Sequence, residues 1–407
     1  MKNQMISTHN IRVMFWIKFF GTINFIAPVL TLFYLERGLE ATHILWLQLF
    51  WSGAVLVGEV PGGVVADRFG AKVSFLIGVI IKIVSIVLLI FAYDPWMFFL
   101  FSALNGFAVT FFSGADEALI YESLKEDSDH HRMDRAMGKI QSAGFVSMIL
   151  AVLFGAYFAK DLEDKQFIFL LVLGVSFHLL EFILIFFVKS PSNTALYREN
   201  PFTQVGAGIK AIQKAPTLLL LFVNFTLVFI AADSVYEAFN QPIFTNAGLP
   251  VVMIGVVYAL AAILGFVTSQ SVGWFTGRFS RKLLMNITGA LAVIGLLLSA
   301  IFGEALWLII GAFFVLRIGQ ALRRPIYSQL KNDLIPSEIR ATTLSLISVL
   351  DSAFDLIIFG LLSAVAFQGI AGILIASSIV ALIGTLTPLQ KKVRGRRMRK
   401  PSGAIAK

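Results

Sequence analysis

The sequence predicts an all-α membrane protein with twelve transmembrane helices in two pseudo-symmetric six-helix bundles, and three observations carry that prediction. Hydrophobic residues fill 57% of the 407 positions and charged ones only 14%, where a soluble domain carries about a quarter charged residues. Apolar runs of the roughly 20 residues needed to cross hydrocarbon recur from one end of the chain to the other. One long polar stretch near the midpoint divides those runs into two equal sets.

In chain order the runs fall at 13–35, 44–66, 73–93, 96–121, 140–159 and 166–188, then at 217–240, 251–275, 283–303, 305–327, 342–366 and 369–389. The first is longer than the roughly 7–15 apolar residues of a cleavable leader and has no small-residue cleavage site, so it reads as a retained helix. The spans organise the chain into a first bundle (1–189), a linker (190–216), a second bundle (217–390) and a basic tail (391–407). The linker, KSPSNTALYRENPFTQVGAGIKAIQKAP after the sixth span, is the only long polar connection.

Charge placement sets the expected orientation. With the N-terminus in the cytoplasm, the outer loops carry only Arg37, Lys160 and Lys165, and nearly all other Lys and Arg fall inside. The reading is a multi-pass protein of the cell (inner) membrane with both termini cytoplasmic. The net charge of +9 is concentrated in the tail KKVRGRRMRK, which fits a topology signal in contact with anionic lipid. No separate basic domain is left for nucleic acid.

Several chemistries drop out. Cysteine is absent, which excludes disulfides and thiolate metal sites. The five histidines stand at no metal-ligand spacing with carboxylates. With no nucleotide-binding loop and no metal motif, an enzyme, an ATP-driven pump or any cofactor is disfavoured.

The two halves echo one another. Gly63, Arg68, Phe69 and Lys72 follow the second span; Gly273, Arg278, Phe279 and Lys282 follow the eighth. Tyr121 to Lys125 (YESLK) recurs as Tyr327 to Lys331 (YSQLK), and Arg135-Ala136 recurs as Arg340-Ala341. Three echoes in one order indicate a duplicated six-helix unit, and parallel repeats of that kind place a substrate site near the midplane between the halves.

With those residues in hand the chain resembles the major facilitator superfamily of transporters over essentially its whole length. That family's loop signature is Gly-x-x-x-Asp-Arg-x-Gly-Arg/Lys-Arg/Lys, and here it reads Gly63-Val-Val-Ala-Asp67-Arg68-Phe69-Gly70-Ala71-Lys72, with Ala71 the one departure. The resemblance implies secondary active transport by alternating access, a monomer, and a cytoplasmic gate built on this loop. Gly63 and Gly70 are expected to give close approach and a tight turn. Glu122 is the expected partner of Arg68, and the start of the eleventh span near Arg340 that of Asp67. The second copy has Gly277 where Asp67 stands and Ser280 where Gly70 stands, and reads as mostly structural.

Charges inside spans need a reason, since one at the bilayer centre costs at least about 2.5–3.5 kcal/mol. Arg317, mid-way through the tenth span, is expected to face the central cavity, which the resemblance lines with helices one, four, seven and ten. Asp351 and Asp355, four apart on one face of the eleventh span, are its expected counter-charges and candidates for proton exchange. Asp233, Tyr236, Glu237 and Asn240 form a polar stripe in the seventh span, read as lining water. Asn24 and Pro28 in the first span, and Asn105, Asp116 and Glu117 in the fourth, are further polar positions. Lys82 in the third span is expected to pair internally, and His178 with Glu181, three apart in the sixth, forms a candidate proton relay.

The cargo is a small molecule, with protons as coupling ion and membrane lipids as surroundings. Proton-coupled efflux is the first reading, in the manner of small twelve-helix drug/proton antiporters. Their fifth-span motif Gly-x-x-x-Gly-Pro-x-x-Gly-Gly is degraded here to Gly138, Gly144 and Gly155 without proline. The alternative is a proton-coupled symporter importing an anionic or zwitterionic metabolite on Arg317. A lipid flippase and a non-transporting scaffold rank below these.

Overall fold

The computed structural model describes residues 5–129, 132–191, 216–335 and 340–389. Among them eleven helical stretches are long and apolar enough to cross a membrane. They are α1 (Ile6–Glu36), α2 (Ala41–Phe69), α3 (Ala71–Ile90), α4 (Pro95–Glu126), α5 (Met133–Phe158), α6 (Asp164–Ile185), α7 (Pro216–Asn246), α8 (Val251–Gln270), α9 (Arg281–Ile301), α10 (Leu306–Leu334) and α12 (Ala366–Leu386). The twelfth element, α11 (Arg340–Ser363), packs against α2, α7 and α12. The basic tail and nearly all of the linker lie outside the described residues.

Several helices outrun their apolar segments: α1 begins at Ile6, α4 ends at Glu126 and α10 runs on to Leu334. Apolar length marks the hydrocarbon, whereas the hydrogen-bond ladder continues into water wherever a bundle still supports it. The helix ends at Ile6, Phe69, Ile185 and Leu386 form one face of the molecule, here called the terminal face. The loops around Gly38, Tyr93, Leu162, Gly248, Gly303 and Val365 form the distal face.

Three helices are interrupted inside the membrane. α1 leaves helical geometry at Ile23 (φ −70°, ψ 121°), makes a 3₁₀ turn at Ala27–Val29 around Pro28, and resumes at Leu30. α4 breaks after Thr110 and restarts beyond Gly114, whose φ of +72° suits glycine. α7 contains a π turn at Ile230–Val235 and then Pro242. Freed backbone groups are tolerated at such depth only where protein re-satisfies them.

The opposite bundle supplies that satisfaction. Proline has no N–H, so Pro242 leaves the Ala238 carbonyl without its helical donor; the Thr31 hydroxyl donates to it at 2.8 Å. The Gln241 side chain accepts from Thr31 N–H and donates to the Ala27 carbonyl, both at 2.8 Å. Nearby, α8 meets α5 so closely that a Cβ on Gly255 would lie 2.5 Å from the Val152 carbonyl. The Ser52 hydroxyl of α2 donates to Asp355 of α11 at 3.1 Å.

All of these contacts between halves lie in the distal half of the molecule. On the terminal side, among the described residues, no hydrogen bond or ion pair joins the bundles, and α2 is bared there, with Val57 69% exposed. Among the described residues, the two bundles thus meet distally and part toward the terminal face, leaving a cleft between them.

Candidate functional site

The cleft is charged chiefly by two helices of the second bundle. Arg317 of α10 reaches two carboxylates of α7: one guanidinium nitrogen lies 3.1 Å from Asp233 and the other 3.1 Å from Glu237. One turn-pair further along α10, Arg324 binds the second oxygen of Asp233 at 3.0 Å. Each arginine is also backed by an aromatic ring, Arg317 by Phe313 at 5.3 Å and Arg324 by Phe229 at 4.7 Å from the centroid. Glu237 is 58% exposed and Arg317 27% at the side chain, so the cluster is wetted from the cleft and not sealed.

Sequence reasoning placed Arg317 here with the wrong partners. Asp351 instead accepts a hydrogen bond from Thr226 at 2.8 Å, and Asp355 is engaged by Ser52 across the two halves. The seventh-span stripe also needs correcting. Tyr236 is buried with its hydroxyl 3.1 Å from Ser299, and Asn240 is buried as acceptor from the Tyr258 hydroxyl. The π turn at Ile230–Val235 changes the helical phase, so the stripe does not present one wet face. Asp233 and Glu237 alone of the four meet Arg317.

Two arginines beside the site were overlooked. Arg324 stands seven positions after Arg317, hence on the same helical face; that spacing was the available signal. Arg323 points the other way and is fully buried. It donates to the carbonyl and side-chain oxygen of Asn224 on α7, and to the Met285 carbonyl and Thr288 hydroxyl on α9. It rivets α10 to both neighbours without a carboxylate.

The signature loop takes a different arrangement from the one expected. Gly70 does make the turn, with φ +85°, ending α2 and starting α3. The close approach belongs to Gly62, where a Cβ would lie 2.6 Å from the Thr110 carbonyl, while the space beside Gly63 is open. Arg68 lies over the ring of Phe69 at 5.6 Å, and Glu122 pairs with Lys125 at 3.8 Å, so the expected Arg68–Glu122 pair is not made. Lys72 donates to the Phe186 carbonyl at 2.6 Å within its own bundle. Asp67 is exposed, and the side chains near Arg340 expected to meet it lie outside the described residues.

Asn24 sits apart from Arg317, inside the first bundle. It lines a cavity of about 250 Å³ together with Lys82, Asn105 and His178. There Lys82 lies 3.6 Å from Glu181, and His178 Nδ1 lies 2.8 Å from the same carboxylate. Among the described residues, each bundle therefore holds a charge cluster of its own.

Comparison with known proteins gives a consistent picture. The Major Facilitator Superfamily profile matches residues 14–357. The multidrug resistance protein MdtH of Yersinia enterocolitica (serotype O:8, biotype 1B) is 28% identical over 171 residues, 37% of this chain and 41% of that protein. The match thus spans about two-fifths of the curated relative's length. Among solved structures, a point mutant of the nucleoside transporter NupG superposes with TM-score 0.78 at 16% identity, covering 92% of this chain and 98% of that one. A bacterial homolog of the human lysosomal transporter Spinster, in an inward-facing and occupied conformation, does so with TM-score 0.69 at 14% identity, covering 92% and 94%. At these identities the solved structures bear on the fold alone.

Proposed function

The chain belongs to the major facilitator superfamily of transporters, and from that premise we propose that it exports a small amphipathic organic molecule in exchange for protons. The observation that carries this reading is the half-wetted cluster of Arg317, Arg324, Asp233 and Glu237 at the head of a cleft closed distally. Fixed charges of both signs beside Phe229 and Phe313 suit a cargo with an apolar body and a polar or charged end. The multidrug name of the MdtH relatives supports the same class of cargo.

The orientation follows from the loops: the lysine- and arginine-rich terminal face is cytoplasmic. The conformation is then inward-open, ready to take cargo from the cytoplasm or its leaflet. Rocking of the bundles would break the Thr31–Gln241 and Ser52–Asp355 contacts and close the terminal side. That movement would bring the Asp67–Arg68 loop to α11.

Ethidium and a panel of metabolites offered to proteoliposomes under an imposed pH gradient test the reading. Export by exchange predicts cargo moving against the proton flow. Movement of cargo and protons in the same direction favours the symport alternative, for which the cleft exposure of Arg324 is the supporting feature. In that case an anionic group would replace a carboxylate on Arg317 or Arg324.

A further inference from the structure

The first bundle contains an ionisable site that the central cleft does not use. Glu181 and His178 are 2% and 5% exposed, and both belong to α6, a helix outside the central cluster. Their spacing puts them on one face, and Lys82 of α3 completes the group at 3.6 Å from Glu181. A plain structural ion pair requires only Lys82 and Glu181; it has no need of an imidazole on the same carboxylate oxygen. Ionisable groups at this depth mark proton or substrate pathways by default.

The site is buried yet bordered by space on two sides. His178 lines the cavity of about 250 Å³ with Asn24 and Asn105. Glu181 lines a second cavity of about 230 Å³ with Lys18 and Asp116. Gly21, Thr22, Lys82 and Val109 border both and form the partition between them, while the hydrogen-bonded pair reaches one cavity through His178 and the other through Glu181. Each is large enough for several waters at ~30 Å³ apiece. The charged or titratable groups facing the partition are Lys18 from α1, Lys82 from α3, Asp116 from α4, and His178 with Glu181 from α6. From α5 only Ile140 lines it.

The site also touches the interrupted part of α1. Lys82 donates to the Gly21 carbonyl at 3.0 Å, and Gly21 packs so closely on Glu181 that a Cβ there would meet its carboxylate. Gly21 stands two residues before the interruption of α1, and the arm beyond that interruption carries Ala27 and Thr31, which hold Gln241 of the other bundle.

We propose that Glu181, with His178 as its exchange partner and Lys82 as its counter-ion, is the proton-binding site of this transporter, acting on the distal gate through the break in α1. The proposal rests on the proton-coupled reading above. Against ionised Glu181, His178 Nδ1 carries the hydrogen and donates it. A proton arriving on Nε2 from the larger cavity, as the Nδ1 proton passes to Glu181, leaves a neutral acid and a neutral imidazole of the other tautomer. The cluster changes from neutral to singly positive, Lys82 loses its counter-ion, and its hold on Gly21 is altered. Release from Glu181 to the smaller cavity leaves the imidazole protonated on Nε2, and exchange of that hydrogen back to Nδ1 through water in the larger cavity restores the starting state.

The test uses the full chain in proteoliposomes with ethidium as probe. Infrared difference spectra on acidification should show the carbonyl band of a protonated carboxylic acid, absent in Glu181→Gln and retained in Asp355→Asn. Glu181→Gln should lose gradient-driven ethidium accumulation by about tenfold or more. Lys82→Met combined with Glu181→Gln removes both charges together and, should the single variant fold poorly, must show the same loss. Full driven accumulation in either variant, or an acid band that survives Glu181→Gln, overturns the proposal. A parent protein that shows no proton movement overturns the proton-coupled reading itself, a distinct result.

Discussion

The two charge clusters make opposite use of similar residues. In the second bundle Arg317, Arg324, Asp233 and Glu237 face the cleft, and water reaches Glu237 freely. In the first bundle Lys82, Glu181 and His178 are enclosed among α1, α3 and α6. A wetted cluster can trade a partner for cargo, because the displaced carboxylate is still solvated. An enclosed one cannot, because removing a partner leaves an uncompensated charge in low dielectric. Exposure, more than residue type, separates a group that can meet cargo from one that can meet only a proton.

The most severe way to break this contrast is Glu181→Ala, which strands Lys82 and is expected to cost about 3–5 kcal/mol of stability. Thermal unfolding in detergent would read the loss, and pairing it with Lys82→Met should recover much of it. Arg317→Ala should instead leave stability nearly intact while lowering driven transport on the order of 10²-fold. A large destabilisation there would erase the distinction between the clusters.

Gly255→Leu should disfavour the distally closed state by about 1–3 kcal/mol through overpacking against Val152. Since the chain lacks cysteine, Gly53→Cys with Leu356→Cys, whose parent residues lie within 3.7 Å by the Gly53 Cβ position, reports that state by cross-linking. Cross-linking should fall several-fold in the Gly255 variant. Asp67→Asn should slow transport by a few-fold with insertion unchanged, as expected for a loop that acts only when the terminal side closes; equal activity would leave it a topology signal. Ser52→Ala should shift the conformers least, by about 0.5–1.5 kcal/mol for one hydrogen bond, visible as a modest drop in the same cross-link.

Run length, the central polar stretch and the repeated loops made the fold readable, because crossing hydrocarbon constrains length and composition severely. The i, i+3 relation of His178 and Glu181 was readable for the same kind of reason, being local. The partners of Arg317 were not. Asp351 and Asp355 have good mutual spacing, but their helix turns them toward Thr226 and Ser52, a matter of tertiary packing. The π turn beside Asp233 carries no signal in IAADSV, and it changes which of Tyr236, Glu237 and Asn240 reaches the cleft. The Asp67–Arg68 loop was legible as a motif, whereas its partners were not, because they are set by tertiary packing and not by spacing.

The side chain of Gln241 has a consequence for how α1 moves. The two groups it bridges, Ala27 C=O and Thr31 N–H, are four residues apart, the very pair an unbroken α-helix would join to each other. A guest amide from the opposite bundle thus stands in for one rung of the host helix. Were the bundles to part as proposed, that rung could reseal within α1, so neither group would be left bare and one pairing would be exchanged for another at little enthalpic penalty. In the state seen here, the Ala27–Thr31 rung of α1 is completed by an amide borrowed from α7.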